Sequence, residues 1–311
     1  MNHPFPFDPT YGYDEARLRT VPAPEGPADF AEFWRKTFAE ARIWPLEIER
    51  RRIEHPRTDF TVYEIEFTGL NGFRVGGWLT APSDGSIEHG LVMGHGYGGR
   101  DEPAFEQSAV TLAPCARGFN HSARSDLPGD APHHVIRGIA SRESYLIRAC
   151  VADLWRAASA LLELYPALRG RLHYAGTSFG GGIGALALPW DDRFSKAFLA
   201  VPTFGNHPLR LQLPSIGSGE SLRVYHRRHP KVVGVLAYFD AATAARHLTQ
   251  PTLAVCALFD PAVPPPGQFA VYNALAGPKS LVVAPYGHFE YPGLAETDLE
   301  VNRRRLAWWR S

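Results

Sequence analysis

The sequence predicts an α/β fold in which a mainly parallel central sheet is covered by helices on both faces. Three observations carry that expectation. Short, almost wholly apolar runs recur along the chain, helical patterns separate several of them, and glycine (29) and proline (27) supply many turns. With 311 residues, 45% of them hydrophobic and 12% aromatic, the chain can bury a sizeable core. Its 32 basic and 32 acidic residues balance to a net charge of zero. Such a chain has no overall field to draw it onto polyanions, so nucleic-acid binding is not expected.

The opening stretch, MNHPFPFDPTYGYDEARL, has neither the basic start nor the apolar core of a signal peptide. No apolar run approaches the roughly 18 residues that a membrane span needs. Cys115, Cys150 and Cys256 are scattered and form no CxxC pair, which fits reduced, buried thiols in a cytoplasmic protein. Residues 1–59 read as an extension packed on the core. Within it Pro27–Arg42 carries Phe30, Phe33, Trp34, Phe38 and Ala41 at helical spacing, with Pro27 placed to open the helix.

Residues 60–311 read as the main domain. FTVYEIEFT at 60–68 alternates with period two, and Phe73–Ala81 follows a Gly69–Gly72 turn, so an antiparallel pair is expected. The buried parallel strands are expected at Leu91–Met93, Val110–Leu112, Leu172–Ala175, Ala197–Val201, Thr252–Phe259 and Ser280–Ala284. Helical patterns cover Arg142–Leu164, Gly180–Leu188, Pro266–Ala276 and Leu294–Trp309. The stretch 203–248, rich in His, Arg and Pro, fits neither pattern well and reads as a cap-like insertion over one edge of the sheet.

The sharpest chemical signal is Gly176-Thr177-Ser178-Phe179-Gly180, between the strand-like RLHYA and the helix-like GGIGALAL. A serine on so tight a strand-to-helix turn is held clear of the sheet, and the flanking glycines remove side chains that would collide with the neighbouring strand and helix. A serine hydroxyl alone is a poor nucleophile; it needs a base and a group to orient that base. The expected chain order for this elbow is Ser, acid, His. Only His288, in the loop of PYGHFE, lies beyond the last apolar strand, so it is the candidate base. Asp260 closes the run TLAVCALF ahead of a proline-rich turn and is the candidate acid, because catalytic groups gather at the carboxyl ends of parallel strands. Asp240 leads into AATAARHL and reads as a helix cap; Asp191 and Asp192 read as solvated turn residues. The glycine-rich Gly94–Gly99 loop after an early strand offers the N–H of Tyr97 as an oxyanion donor, paired with that of Phe179. His95 reads as structural, tying this loop down. His133-His134 and His226–His229 lack the acidic or cysteine company of a metal site, so no metal is expected. No phosphate-cradling glycine motif is found, and Arg303–Arg305 reads as a solvated helix face.

From about residue 55 onward the chain resembles the acetyl xylan esterase / cephalosporin C deacetylase family, carbohydrate esterase family 7. The resemblance rests on HGYGG at 95–99, ARGF at 116–119, HVIRGIASRESYLIR at 134–148, GTSFGGG at 176–182, LAYFD at 236–240, FDPAVPPPGQFAVYN at 259–273 and GHFE at 287–290, in that order. It implies an α/β-hydrolase fold, a triad of Ser178, Asp260 and His288, and backbone oxyanion donors at Tyr97 and Phe179. It also implies cleavage of small acyl esters, acetyl esters first, without a cofactor, by a homo-oligomer, often a hexamer. Two positions depart from the family: Phe119 follows Arg117-Gly118, and Phe179 follows the nucleophile, where the family carries glutamine at both. Each exchanges an amide for an aromatic ring near the site, and Phe119 is expected at the substrate. Two other readings stay open: another hydrolase of this fold, a peptidase or a lactone hydrolase, and a non-catalytic protein that kept the fold.

Overall fold

The computed structural model describes residues 3–311. One nine-stranded sheet runs through the molecule in the order β1-β2-β3-β5-β4-β6-β7-β8-β9. The strands are β1 (Glu49–Ile53), β2 (Phe60–Thr68), β3 (Arg74–Pro82), β4 (His89–Gly94), β5 (Ala109–Pro114), β6 (Leu172–Thr177), β7 (Phe194–Ala200), β8 (Thr252–Ala257) and β9 (Lys279–Ala284). β5, β4 and β6 to β9 are mutually parallel, and β1 to β3 join them in antiparallel fashion through the β3–β5 pair. The six apolar runs become the parallel part because every residue of β5 and β8, for instance, is buried, so both faces must be covered.

β1 falls inside the segment read as an extension. Its sequence, ERRRI, is charged and almost wholly exposed, so no apolar alternation announces it. Charge suits it to an edge, where it discourages pairing with other chains.

The helices are α1 (Phe30–Arg42), α2 (Leu146–Leu164), α3 (Phe179–Ala187), α4 (Ser218–Arg228), α5 (Ala241–Ala245), α6 (Pro265–Ala274) and α7 (Leu294–Arg310), with single turns between some of them. α1 starts at Phe30, one turn later than Pro27 suggests, and buries Phe30, Phe33, Trp34, Thr37 and Ala41. It docks on α2 through edge-on ring contacts of Trp34 and Phe38 with Trp155. α2 is buried on nearly every side, and its polar groups are partnered. Asp153 takes Arg117 at 2.6 Å, and Arg156 donates to the carbonyls of Thr68 and Trp44 at 2.8 Å.

From β4 the chain steps to β5 on one side and returns to β6 on the other. With right-handed crossovers these two connections lie on opposite faces of the sheet, and a crevice opens at the carboxyl ends of β4 and β6. The return carries α2. The outward step, residues 95–108, carries no helix. The face it crosses is covered mainly by α7, whose Trp309, Trp308 and Val301 pack on strand residues such as Leu91, Phe198 and Val255.

Two expectations about charge are corrected. Asp191 is 1% exposed and bridges Arg193 at 2.6 Å; a short turn can bury an acid when the partner sits two residues away. Arg305 is not solvated either. It turns off the exposed Arg303–Arg304 face to pair with the buried Glu106 of the helix-free connection. Asp240 does cap α5, accepting from the N–H groups of Ala242 and Thr243 at 3.0 Å.

Buried histidines give the fold an acid limit. Burial pushes His89, His95 and His134 down to about 4 and His173 and His207 to about 3, from an ordinary 6.5. The fold therefore holds them neutral while the unfolded chain protonates them below 6.5. Their contribution is complete above 6.5 and is lost as pH falls toward 3–4, at up to about 1 kcal/mol per pH unit for each of the fully enclosed His134 and His207. We expect the urea midpoint to fall steeply between pH 7 and pH 5, with proton uptake on unfolding. A flat midpoint across that range would refute this account.

Candidate active site

Ser178 stands between the end of β6 and the first turn of α3, with φ 56° and ψ −113°. A serine adopts this left-handed geometry only when its surroundings dictate it. Here its N–H donates to Ala200 O at 2.8 Å, and its own carbonyl accepts from Gly182 and Thr203. Glycine is required beside it: a Cβ on Gly176 would lie 2.5 Å from the Gly180 carbonyl carbon, and one on Gly180 would lie 2.7 Å from that of Gly94. The elbow can thus press against β4 only in this sequence.

His288 lies on the loop between β9 and α7, also with positive φ (45°). Its Nε2 is 2.9 Å from Ser178 Oγ, and its Nδ1 is 2.8 Å from Asp260 Oδ2. The three side chains expected from chain order are therefore joined in one series. Asp260 is fully buried just beyond β8. Its Oδ1 accepts from the N–H groups of Ala262 and Val263, both at 2.9 Å, and its Oδ2 accepts from Gln268 Nε2 at 2.9 Å as well as from His288. Burial acts to lower the pKa of His288, but the charge and hydrogen bond of Asp260 together outweigh it, and the net shift is upward.

Gln268 escaped the reading of the sequence. Fully buried on α6, it accepts from Ala257 N–H and donates to both Val263 O and Asp260. The only signal is an amide in the apolar first half of α6, eight residues after the acid. The N-terminal segment also reaches this loop. Pro9 O accepts from Asp260 N–H at 3.2 Å, Phe5 packs on Phe259 and Phe289, and Tyr11 donates to Pro214 O at 2.7 Å.

Across the crevice, the N–H groups of Tyr97 and Phe179 donate to no acceptor among the described residues. The Tyr97 and Phe179 rings stack at 4.2 Å, which fixes the two donors relative to each other. His95 pins the Tyr97 loop: its Nε2 accepts from Ala116 N–H at 2.8 Å, and its Nδ1 lies 2.6 Å from Gly96 O. Phe119 is 4% exposed and contacts the rings of His95, Tyr97 and His134. The structure thus places it in the aromatic packing behind the Tyr97 loop. Phe179 is likewise fully buried.

Two open cavities of about 530 Å³ each flank the elbow on the α7 face. Both are lined by Thr177, Phe198 and Arg305; one extends to Gly96 and Arg100, the other to His288, Tyr286 and Asn302. They occupy the space that the helix-free connection leaves open.

The sequence profile of the acetyl xylan esterase family matches residues 17–302. The chain is 22% identical over 304 residues to acetyl esterase Axe7A of Xylanibacter ruminicola, covering 92% of this chain and 67% of that protein. Among solved structures it resembles the acetyl xylan esterase from Paenibacillus sp. R4 (TM-score 0.82, 24% identity, 95% of this chain and 99% of that one). It resembles acetyl xylan esterase 1 from Thermoanaerobacterium sp. JW/SL YS485 equally well (TM-score 0.82, 22% identity, 95% and 98%). At these identities the structural likeness speaks for the α/β-hydrolase fold.

Proposed function

This chain belongs to the acetyl xylan esterase family and is a carboxylic-ester hydrolase, and we propose that Ser178, His288 and Asp260 are its catalytic triad. The observation that carries the proposal is the unbroken series from Ser178 Oγ through His288 to the buried Asp260 carboxylate. His288 Nε2 takes the hydroxyl proton as Oγ attacks the carbonyl carbon of an acetyl ester. Asp260 keeps the proton of the neutral imidazole on Nδ1 and stabilises the imidazolium that forms. The N–H groups of Tyr97 and Phe179 receive the oxyanion, each worth about 3 kcal/mol in comparable sites. His288 then protonates the departing alcohol, and water repeats the sequence on the acyl-enzyme. Every step uses groups of the chain itself.

The substrates proposed are acetates of sugars and of related small molecules such as the acetylated cephalosporins. Phe119 and Phe179 act through packing, holding the oxyanion donors in place. Turnover of 4-nitrophenyl esters should be highest for acetyl and fall with chain length; preference for acyl groups beyond about eight carbons would instead mark a lipase-like pocket. Because His288 must be neutral to act as base and its pKa is raised above 6.5, kcat/KM should lose activity as pH falls through an inflection above 6.5. An acid limb centred below 6 would contradict the His288–Asp260 coupling.

Three buried free cysteines support a reducing, cytoplasmic location, and no helix among the described residues is long and apolar enough to cross a membrane. Exposed Ile216, Val224 and Val233 on the insertion support the homo-oligomer expected from the family, hexameric or smaller, which light scattering would size.

A further inference from the structure

The insertion buries a charge that the proposed mechanism does not use. Arg210 ends the single turn His207–Arg210 and is 3% exposed. Its guanidinium lies over the Phe204 ring at 5.5 Å, and Nη2 donates to Ser218 Oγ at 3.4 Å. Nε and Nη1 have no partner, and no carboxylate among the described residues pairs with it. Asp240, the nearby acid, is already committed to the N–H groups of Asn206, His207, Ala242 and Thr243. A buried cation without a counter-ion is costly to the fold. The hydroxyls of Thr203, Ser215 and Tyr97 are buried and partnerless as well. Ser215 Oγ lies beside the guanidinium, since a Cβ on Gly219 would meet both Oγ and Arg210 Nη2.

The insertion that carries this charge touches both halves of the proposed active site. Thr203 N–H donates to Ser178 O at 3.2 Å, and Phe204 stands edge-on to Phe179 at 6.1 Å. Next to Ser215, Ile216 N–H donates to Pro261 O, adjacent to Asp260. The departing alcohol must meet His288, which lines the cavity on the α7 face. The acyl half can then turn toward the insertion, where Phe204 meets Phe179.

We infer that Arg210, with Ser215 beside it, forms a subsite for a carboxylate on the acyl half, so that half-esters of short dicarboxylic acids are substrates alongside acetates; the inference rests on the triad reading above. A guanidinium flanked by hydroxyls supplies the charge and the donors that a carboxylate needs. A site built around such donors discriminates strongly against an analogue that lacks the acceptor.

The test compares ethyl hydrogen succinate with ethyl butanoate, followed by acid release. The full-length protein should favour the succinate by about tenfold or more in kcat/KM, chiefly through KM. In Arg210→Met that ratio should drop to about one or below, because the cation is gone while the apolar volume stays. No preference in the unsubstituted protein, or a ratio unchanged by the substitution, overturns the inference; a merely structural Arg210 would slow both esters alike and leave the ratio intact. Loss in Arg210→Met of a preference for 4-carboxyphenyl acetate over 4-tolyl acetate, with no effect on the succinate ratio, would place the carboxylate on the alcohol and also overturn it. Should the variant fail to fold, free succinate must inhibit the unsubstituted enzyme competitively and more strongly than butanoate, or the inference falls. Failure of the triad reading is distinguishable, because it would appear as a Ser178→Ala protein that still turns over both esters.

Discussion

Ser178→Ala should fold normally and lose about a million-fold in kcat toward 4-nitrophenyl acetate, the scale seen when a triad nucleophile is removed elsewhere. Alanine meets the same left-handed backbone that serine tolerates at this position (φ 56°), so the substitution adds little strain. His288 keeps its bond to Asp260, and the free N–H groups of Tyr97 and Phe179 remain in place. Residual catalysis of about 10³- to 10⁴-fold over water is therefore expected from the oxyanion donors and binding alone. Two measurements check this: turnover by the purified variant, and labelling by a fluorophosphonate, which should add mass to the unsubstituted protein at Ser178 and none to the variant. A variant that turns over at the normal rate would remove Ser178 from the mechanism.

Asp260→Asn should cost about 10⁴-fold in kcat without unfolding the protein, by the tautomer argument that holds for other triads. The direction follows from the hydrogen bonds. Oδ1 accepts from two backbone N–H groups, of Ala262 and Val263, so the amide oxygen of asparagine must stay there. Its NH₂ then replaces Oδ2 and faces two donors, Gln268 Nε2 and His288 Nδ1. Gln268 is held by Val263 O and Ala257 N–H and cannot turn without breaking both. His288 can yield, by moving its proton to Nε2, and it then no longer accepts from Ser178. The same substitution should lower the acid limb of kcat/KM, because the charge that raises the His288 pKa is gone. An acid limb that stays where it was would mean that Asp260 does not set the basicity of His288.

The parallel strands and the three side chains in series were legible because each has a local cause. Strands buried on both faces must be apolar along their length. A nucleophile elbow needs glycine at fixed offsets, and the acid and histidine sit at strand ends in a set order. What escaped lacked such a cause. β1 is charged because it is an edge, so its pairing with β2 shows only in register. Asp191 and Arg305 look solvated by type, yet each is drawn out of solvent by an oppositely charged partner, the first two residues away and the second 199 residues away. Gln268 and Arg210 are polar residues on short helices, and what they touch is set by how α6 and the insertion pack. No periodicity could have shown that residues 95–108 cross a sheet face without a helix.

The stretch around Phe5 and Pro9 braces the loop that holds Asp260, and Tyr11 ties it to the insertion at Pro214, which has a practical bearing on handling. A tether or bulky graft placed within residues 5–11 would loosen the acid's support while the nine-stranded sheet stayed whole. Activity would then decline in preparations that still look native by spectroscopy. Attachment through an exposed side chain already present in the turn at 83–86, such as Asp84 or Ser86, should spare it.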